Sequence, residues 1–383
     1  MSLRMISTAL KPKDLATHCP LCGRSFARFE SDEEHIFPQW LQRRHDLWTK
    51  RLNIPNFTGK TYNTVKVRVC RRCNGSTFGS LESRFAPLLS GADPFSASAV
   101  LNDDDLAMWL GKIFWLLIRK GHSVEDFRTR HDPQPDRVIP HDLFPGTLYL
   151  GVMMRAFATG KGMSSCYLDD PPMPLLYGPT FSLYRFKIDQ REDRLEDFDF
   201  ADNVACLGLG LRTGNLGIIC LFDGGLHRHF RAHRFAHLAT ENLHPTQFSE
   251  VVARMLYDQT VLDEAANQVQ YYWNPPLRSV IAQNRTPRHF DPYLQKHHEP
   301  RLLAEIMGPA SLIATNGEAI TFLTDAAGIF RPLAVTAAEV DMARHDPGQI
   351  VVGPSNIDWR IREGGPVKTK PNTGPRSGPQ NKV

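Results

Sequence analysis

Four of the seven cysteines form two CxxC pairs, Cys19 and Cys22 in CPLC and Cys70 and Cys73 in CRRC, with 47 residues between the pairs. Thiolates so arranged suit one tetrahedral Zn2+, and a chain that folds back on itself can bring both pairs to it. Neither pair lies in the strand–helix setting of a redox CxxC. Between them runs SDEEHIFPQWLQ (31–42), where Glu34 and His35 stand side by side, and Asn74 follows Cys73 directly. Once a structural zinc joins the two knuckles, a carboxylate, an imidazole and an amide oxygen share one small space. Glu34 and Asn74 are hard oxygen donors for a catalytic divalent metal, expected to be Mg2+, Mn2+ or Ni2+, with positions left open for phosphate oxygens and water. His35 beside it is then a general base for water attacking phosphorus.

These groups need elements to hold them. Gly23 lets the first knuckle turn back around a metal. In TVKVRVC, Val65, Val67 and Val69 alternate with Lys66 and Arg68, which predicts a half-buried strand running straight into the second knuckle. NGSTFGSLESRFAPLL then reads as a helix ending near Pro87. The order is knuckle, acid–His segment, polar loop, strand, knuckle, helix.

That order, with EHIFPQWL in the first half and Cys-x-x-Cys-Asn in the second, resembles the His-Me finger, or HNH, nuclease family in its zinc-knuckle form, as in phage endonuclease VII. The resemblance covers about residues 15–90. It implies a ββα-metal finger in which Cys19, Cys22, Cys70 and Cys73 hold zinc, Glu34 and Asn74 hold the catalytic metal, and His35 is the base. It also implies hydrolysis of phosphodiester bonds in DNA, leaving a 5′-phosphate. Two positions depart from the pattern. Phe78 stands where many such sites carry a further His or Asn, and Asn63 is only loosely spaced to be the loop-holding Asn. Glu82, two turns beyond Asn74, is expected to be a helix-surface charge.

Charge agrees with a polyanionic partner. Residues 1–90 hold 15 Lys/Arg against 7 Asp/Glu, whereas the remainder hold 30 against 34. Arg43, Arg44, Lys50, Arg51, Lys66, Arg68, Arg71 and Arg72 are candidates for phosphate contacts. The longest apolar stretch, LAMWLGKIFWLLI (106–118), is too short to span a bilayer and has Lys112 inside it, so it predicts a buried helix. MSLRMISTALKPKD lacks the features of a leader, and a cytoplasmic location with no membrane contact is expected.

The fold class expected is α+β: a zinc-stapled HNH domain over 1–90, a linker at SGADPFSAS, an α+β domain of unknown role over 99–355, and a disordered tail over 356–383. In the larger domain, 103–120 and HPTQFSEVVARMLYDQTVLDEAAN read as helices. TLYLGVMM and TFSLYRFKI read as strands, and VACLGLGLRTGNLGIICLF and AITFLTDAAGIFRPLAV as hairpins. HRHFRAHRFAH carries His229, His233 and His237 at helical i, i+4, i+8 spacing, but interleaved arginines make it a basic helix face rather than a second metal site. A homodimer is left open. The rival function is a non-catalytic, zinc-stabilised module that binds nucleic acid or protein through the same basic face.

Overall fold

The computed structural model describes residues 4–5, 15–52, 60–124, 133, 139, 145–168, 176–189, 198–204, 206–260, 270–285, 299, 302–303, 306–307, 321–324, 329–330 and 332. The tail over 356–383 and most of the second expected hairpin lie outside them.

The chain is α+β. Its first part contains β1 (Arg4–Met5), β2 (Ser31–His35), α1 (Gln39–Arg44), β3 (Arg51–Leu52), β4 (Lys60–Thr61) and β5 (Lys66–Cys70). A π-helix over Arg72–Phe78 then runs into α2 (Gly79–Leu89). Next come α3 (Pro94–Ser98), α4 (Asp103–Ser123), α5 (Pro145–Ala158), β6 (Gly162–Leu168), β7 (Leu176–Gly178), β8 (Ser182–Ile188) and β9 (Phe198–Asn203). The last elements are β10 (Gly208–Thr213), β11 (Leu216–Leu221), α6 (Leu226–Phe230), β12 (Asn242–Leu243), α7 (Pro245–Thr260), β13 (Gln270–Asn274) and β14 (Ser279–Arg285).

Two five-stranded sheets, ordered β1-β13-β14-β6-β7 and β12-β8-β11-β10-β9, accompany the small pairs β2-β5 and β3-β4. The β10–β11 hairpin is buried along its whole length. Alternate residues serve two apolar clusters. Leu209, Leu211, Ile218 and Cys220 join the cluster around α4, while Ile219 and Leu221 join the one around α7. A strand covered on both faces reads as a continuous apolar run, as this segment does. Gly210 lets α7 come close, since a Cβ there would stand 2.8 Å from Val252 Cγ1.

Helix α4 is the centre of the molecule. Its N-cap is Asn102, whose Oδ1 accepts from the Asp104 and Asp105 backbone N–H groups at 2.8 and 3.3 Å. Asp103, Asp104 and Asp105 fill the first turn, where the helix dipole favours negative charge. Nearly every residue from Leu106 to Ile118 is buried, so the helix is enclosed on all sides.

Two local readings change. TLYLGVMM lies in α5, not in a strand. A short apolar run has no periodicity to separate the two, and here it sits within 14 helical residues that begin at a proline. The expected linker is also built in. Asp93 caps α3 by accepting from the Ser96 N–H at 3.1 Å, and it accepts from the Asn215 amide at 2.7 Å. The Arg44 guanidinium donates to the carbonyls of Ser90 and Gly91. One apolar cluster accordingly runs from Cys19 through α4 to Ala282, across the boundary expected at 90.

Candidate metal centre and active site

The first knuckle is a tight turn in which Cys19 N–H donates to Arg24 O at 2.9 Å and Gly23 N–H to Cys19 O at 2.8 Å. Gly23 has φ of 73°, a left-handed conformation that favours glycine. The second knuckle starts at the end of β5 and enters the π-helix. Its Cys70 N–H points at Cys19 Sγ, 3.4 Å away. All four sulfurs lie within 4.8 Å of one another and all four cysteines are buried. Tetrahedral zinc at about 2.3 Å from each sulfur needs sulfurs about 3.8 Å apart, so the donor set fits a structural Zn2+. Four thiolates and one Zn2+ leave two negative charges, and Arg155 of α5 packs against this knuckle. A Cβ at Gly23 would stand 2.7 Å from its Cζ. Among the described residues no other group of three or more His, Cys, Asp or Glu side chains could hold a metal.

Two strands pair beside this cluster. β2 and β5 pair antiparallel with Ser31 opposite Cys70, Glu34 opposite Val67 and His35 opposite Lys66. Alternation sends Glu34 inward and leaves His35 half-buried. α4 meets Glu34 there. Lys112 Nζ donates to Glu34 Oε1 and, at 2.5 Å, to Glu82 Oε1 from α2. The lysine side chain is 0% exposed, against 11% for Glu34 and 18% for Glu82. Burial pushes the Glu34 carboxyl up, with Lys112 partly offsetting it. Burial alone would pull Lys112 down, but Glu82 and Glu34 outweigh it and hold its ammonium above the ordinary lysine value.

Glu82 is therefore not a surface charge, and one oxygen of Glu34 already belongs to an ammonium. Two carboxylates around one ammonium still leave a net negative charge, and Glu34 Oε2 has no partner among the described residues. That chemistry admits a cation.

His35 is held from α1. Arg43 donates to Gln39 Oε1 at 3.1 Å, and Gln39 Nε2 lies 3.2 Å from His35 Nδ1. An arginine has only donors, so the Gln39 oxygen must face it and the Gln39 NH2 must face the imidazole. His35 Nδ1 is then the lone-pair nitrogen and Nε2 carries the proton. Nε2 has no hydrogen-bond partner among the described residues. Burial, followed by the nearby Lys66 ammonium, lowers the His35 pKa and favours the neutral ring. Trp48 lies alongside, its ring centroid 5.7 Å from that of His35.

Asn74 sits half-buried in the π-helix, and no hydrogen bond links its side chain to Glu34 or His35. Along this turn and into α2, Ser76 Oγ donates back to Arg72 O, Ser80 Oγ to Thr77 O and Ser83 Oγ to Gly79 O, each at 2.9 Å, and such back-bonding bends helices. Asn63 Oδ1 accepts from Thr61 Oγ1 at 2.6 Å, within its own turn. Phe78 is wholly buried.

The basic face is smaller than its sequence. Arg71 is paired with Glu30 at 2.5 Å and Asp32 at 3.3 Å, and Arg44 is spent on backbone carbonyls. Arg68 donates to Ser31 Oγ at 2.7 Å and lies over the Phe26 ring. Arg43, Arg51 and Arg72 are exposed.

The histidine-rich segment forms no continuous helix. α6 stops at Phe230 and two short 3-10 turns follow, so His229, His233 and His237 do not share a helical face. His227 is buried instead. Its Nδ1 lies 2.8 Å from Tyr184 Oη and its Nε2 3.2 Å from Asp258 Oδ2, and Arg231 and Arg234 also reach Asp258.

Sequence reasoning missed Gln39, Trp48, the contact of Arg43 with Gln39 and the pairing of Lys112 with Glu34 and Glu82. Only Lys112 carried a signal, because a lone lysine in an apolar helix requires a buried carboxylate.

Fold and site together define an α+β protein with a buried four-cysteine cluster that could hold a structural metal. No family model, curated protein or solved structure matches the chain. Among the described residues no helix is long and apolar enough to cross a membrane.

Proposed function

We propose that the protein is an HNH-type endonuclease that hydrolyses phosphodiester bonds in DNA, with His35 as the general base. The observation that carries this reading is the Arg43–Gln39–His35 relay, which leaves a neutral imidazole with its lone pair on Nδ1, directly after Glu34 on β2. A general base needs that state, and a histidine that only packs at a strand end does not. Glu34, through its unpaired oxygen, and Asn74, through its side-chain carbonyl, would hold the divalent cation, which when bound supplies positive charge to the reacting phosphate.

His35 Nδ1 takes the proton of the attacking water, which enters where the Gln39 amide now donates. Lys112 orients Glu34 by holding Oε1. Arg43, Arg51 and Arg72 are available for phosphate contacts, and their charge makes binding salt-dependent.

The alternative, a non-catalytic module that binds nucleic acid or protein, is favoured by one feature: Glu34 is engaged in a buried ion pair. Nicking of supercoiled plasmid with Mg2+, Mn2+ or Ni2+ separates the two. The expected result is metal-dependent cutting that disappears in a zinc-replete His35→Ala variant. Binding without cutting by a folded, zinc-replete wild type, on plain and structured DNA alike, would favour the module.

A further inference from the structure

We propose that Trp48 is a stacking platform for an unpaired base, so that the substrate is single-stranded or locally unpaired DNA at the scissile position. This rests on the hydrolase reading and narrows its substrate.

The described residues include five large hydrophobic side chains that are exposed: Phe29, Trp48, Val100, Leu277 and Ile329. Two are aromatic. The Phe29 face is covered by the Arg24 guanidinium, 4.8 Å from the ring centroid. Trp48, 37% exposed, has one aromatic neighbour among the described residues, and that neighbour is His35 at 5.7 Å. Part of a large aromatic surface is thus open to solvent beside the proposed base, able to cover a flat apolar ligand.

Its placement is built into the backbone. Asp46 has φ of 50°, a left-handed conformation unusual for a residue other than glycine. The turn closes with Leu47 N–H donating to Gln42 O at 2.8 Å, and Leu47 is 2% exposed. Leucine is driven into the core and the next side chain is turned out beside His35. The exposed Arg51 follows three residues later, and Arg43, also exposed, donates to the Gln39 that meets His35.

A π-face next to a basic track is the arrangement that receives single strands, since every base has a face to stack. In duplex DNA both faces of each base are already covered by neighbours. Only a base freed from its stack can lie on Trp48 while its phosphate reaches His35.

The test uses the full-length, zinc-replete protein with three fluorescent DNA oligonucleotides of one sequence: single-stranded, fully paired, and paired with one bulged nucleotide. Binding is read by anisotropy on a His35→Ala background and cutting on the active protein, each with Trp48 intact, Trp48→Ala and Trp48→Phe. Loss of one base stack weakens binding by about 5- to 140-fold. The expected result is preference for the single-stranded and bulged forms, a loss of that size for them in Trp48→Ala, and retention of most of the preference in Trp48→Phe. Equal weakening on paired and unpaired DNA, no preference in the protein with Trp48 intact, or Trp48→Phe matching Trp48→Ala would overturn the proposal. Cutting that ignores Trp48 sinks this inference and spares the hydrolase. Trp48-dependent binding of unpaired DNA with no cutting sinks the hydrolase and spares the platform.

Discussion

Lys112 and Glu34, 78 residues apart in the chain, meet as a hydrogen-bonded ion pair where α4 reaches the antiparallel β2–β5 pair, and Glu82 completes the group from α2. Three elements are joined at one ammonium that water does not reach. Removing the ammonium leaves two carboxylates in a buried space with nothing to compensate them. Lys112→Met is expected to cost about 3–5 kcal/mol in urea denaturation. Adding Glu34→Gln and Glu82→Gln should return much of that, because the uncompensated charge is gone. A single variant as stable as wild type would show that the group carries no weight.

The cysteine centre should be structural. About one zinc per chain is expected, bound by Cys19, Cys22, Cys70 and Cys73. Chelation, or Cys70→Ser, should release it and lower the melting temperature, since the metal ties β5 to the first knuckle. Full zinc occupancy in a Cys70→Ser/Cys73→Ser variant would place the metal elsewhere.

Gln39 offers a test of the His35 tautomer. His35→Ala should lower cleavage by about 10²- to 10⁴-fold. Gln39→Leu removes the donor to Nδ1 and should cost less. Gln39→Glu should cost more than Gln39→Leu, because a carboxylate would accept a proton from Nδ1 and reverse the tautomer. Equal activity of the two Gln39 variants, with NMR placing the proton on Nδ1 in wild type, would contradict the assignment.

Asp258 makes the second half of the protein sensitive to acid. Burial would raise its carboxyl, but His227, Arg234 and Arg231 outweigh that and hold it below the ordinary value of 3.8. A carboxylate depressed in the folded state contributes stability that is present above its unfolded pKa and is lost as pH falls through the folded one. Asp258→Asn should destabilise by about 3–5 kcal/mol at pH 7. The gap between wild type and variant should close as pH falls below about 4. A gap unchanged between pH 7 and pH 3, followed by chemical denaturation, would remove Asp258 from the account.

How much of this was legible depended on distance along the chain. The strand over 66–70 was readable because valine and charge alternate there, and α4 because its apolar residues are continuous behind a capped start. α5 was not readable as a helix, since its apolar run fits either period and its packing on α4 decided the matter. Glu82 was assigned to the helix surface and Arg71 to phosphate, because nothing local shows which side chain will arrive from another element.

By itself, then, the sequence determined the donor chemistry: four thiols in two pairs, an acid and an imidazole in adjacent positions, an asparagine behind the last thiol, and the elements whose periodicity is local. Only the tertiary structure decided which charges are spent and which remain. It gave one oxygen of Glu34 to Lys112, Arg71 to two acids, Arg44 to the segment expected to be a linker, and the Gln39 amide to His35 Nδ1. The physical reason is that spacing governs groups a few residues apart, whereas burial and pairing are settled by whatever the folded chain brings alongside.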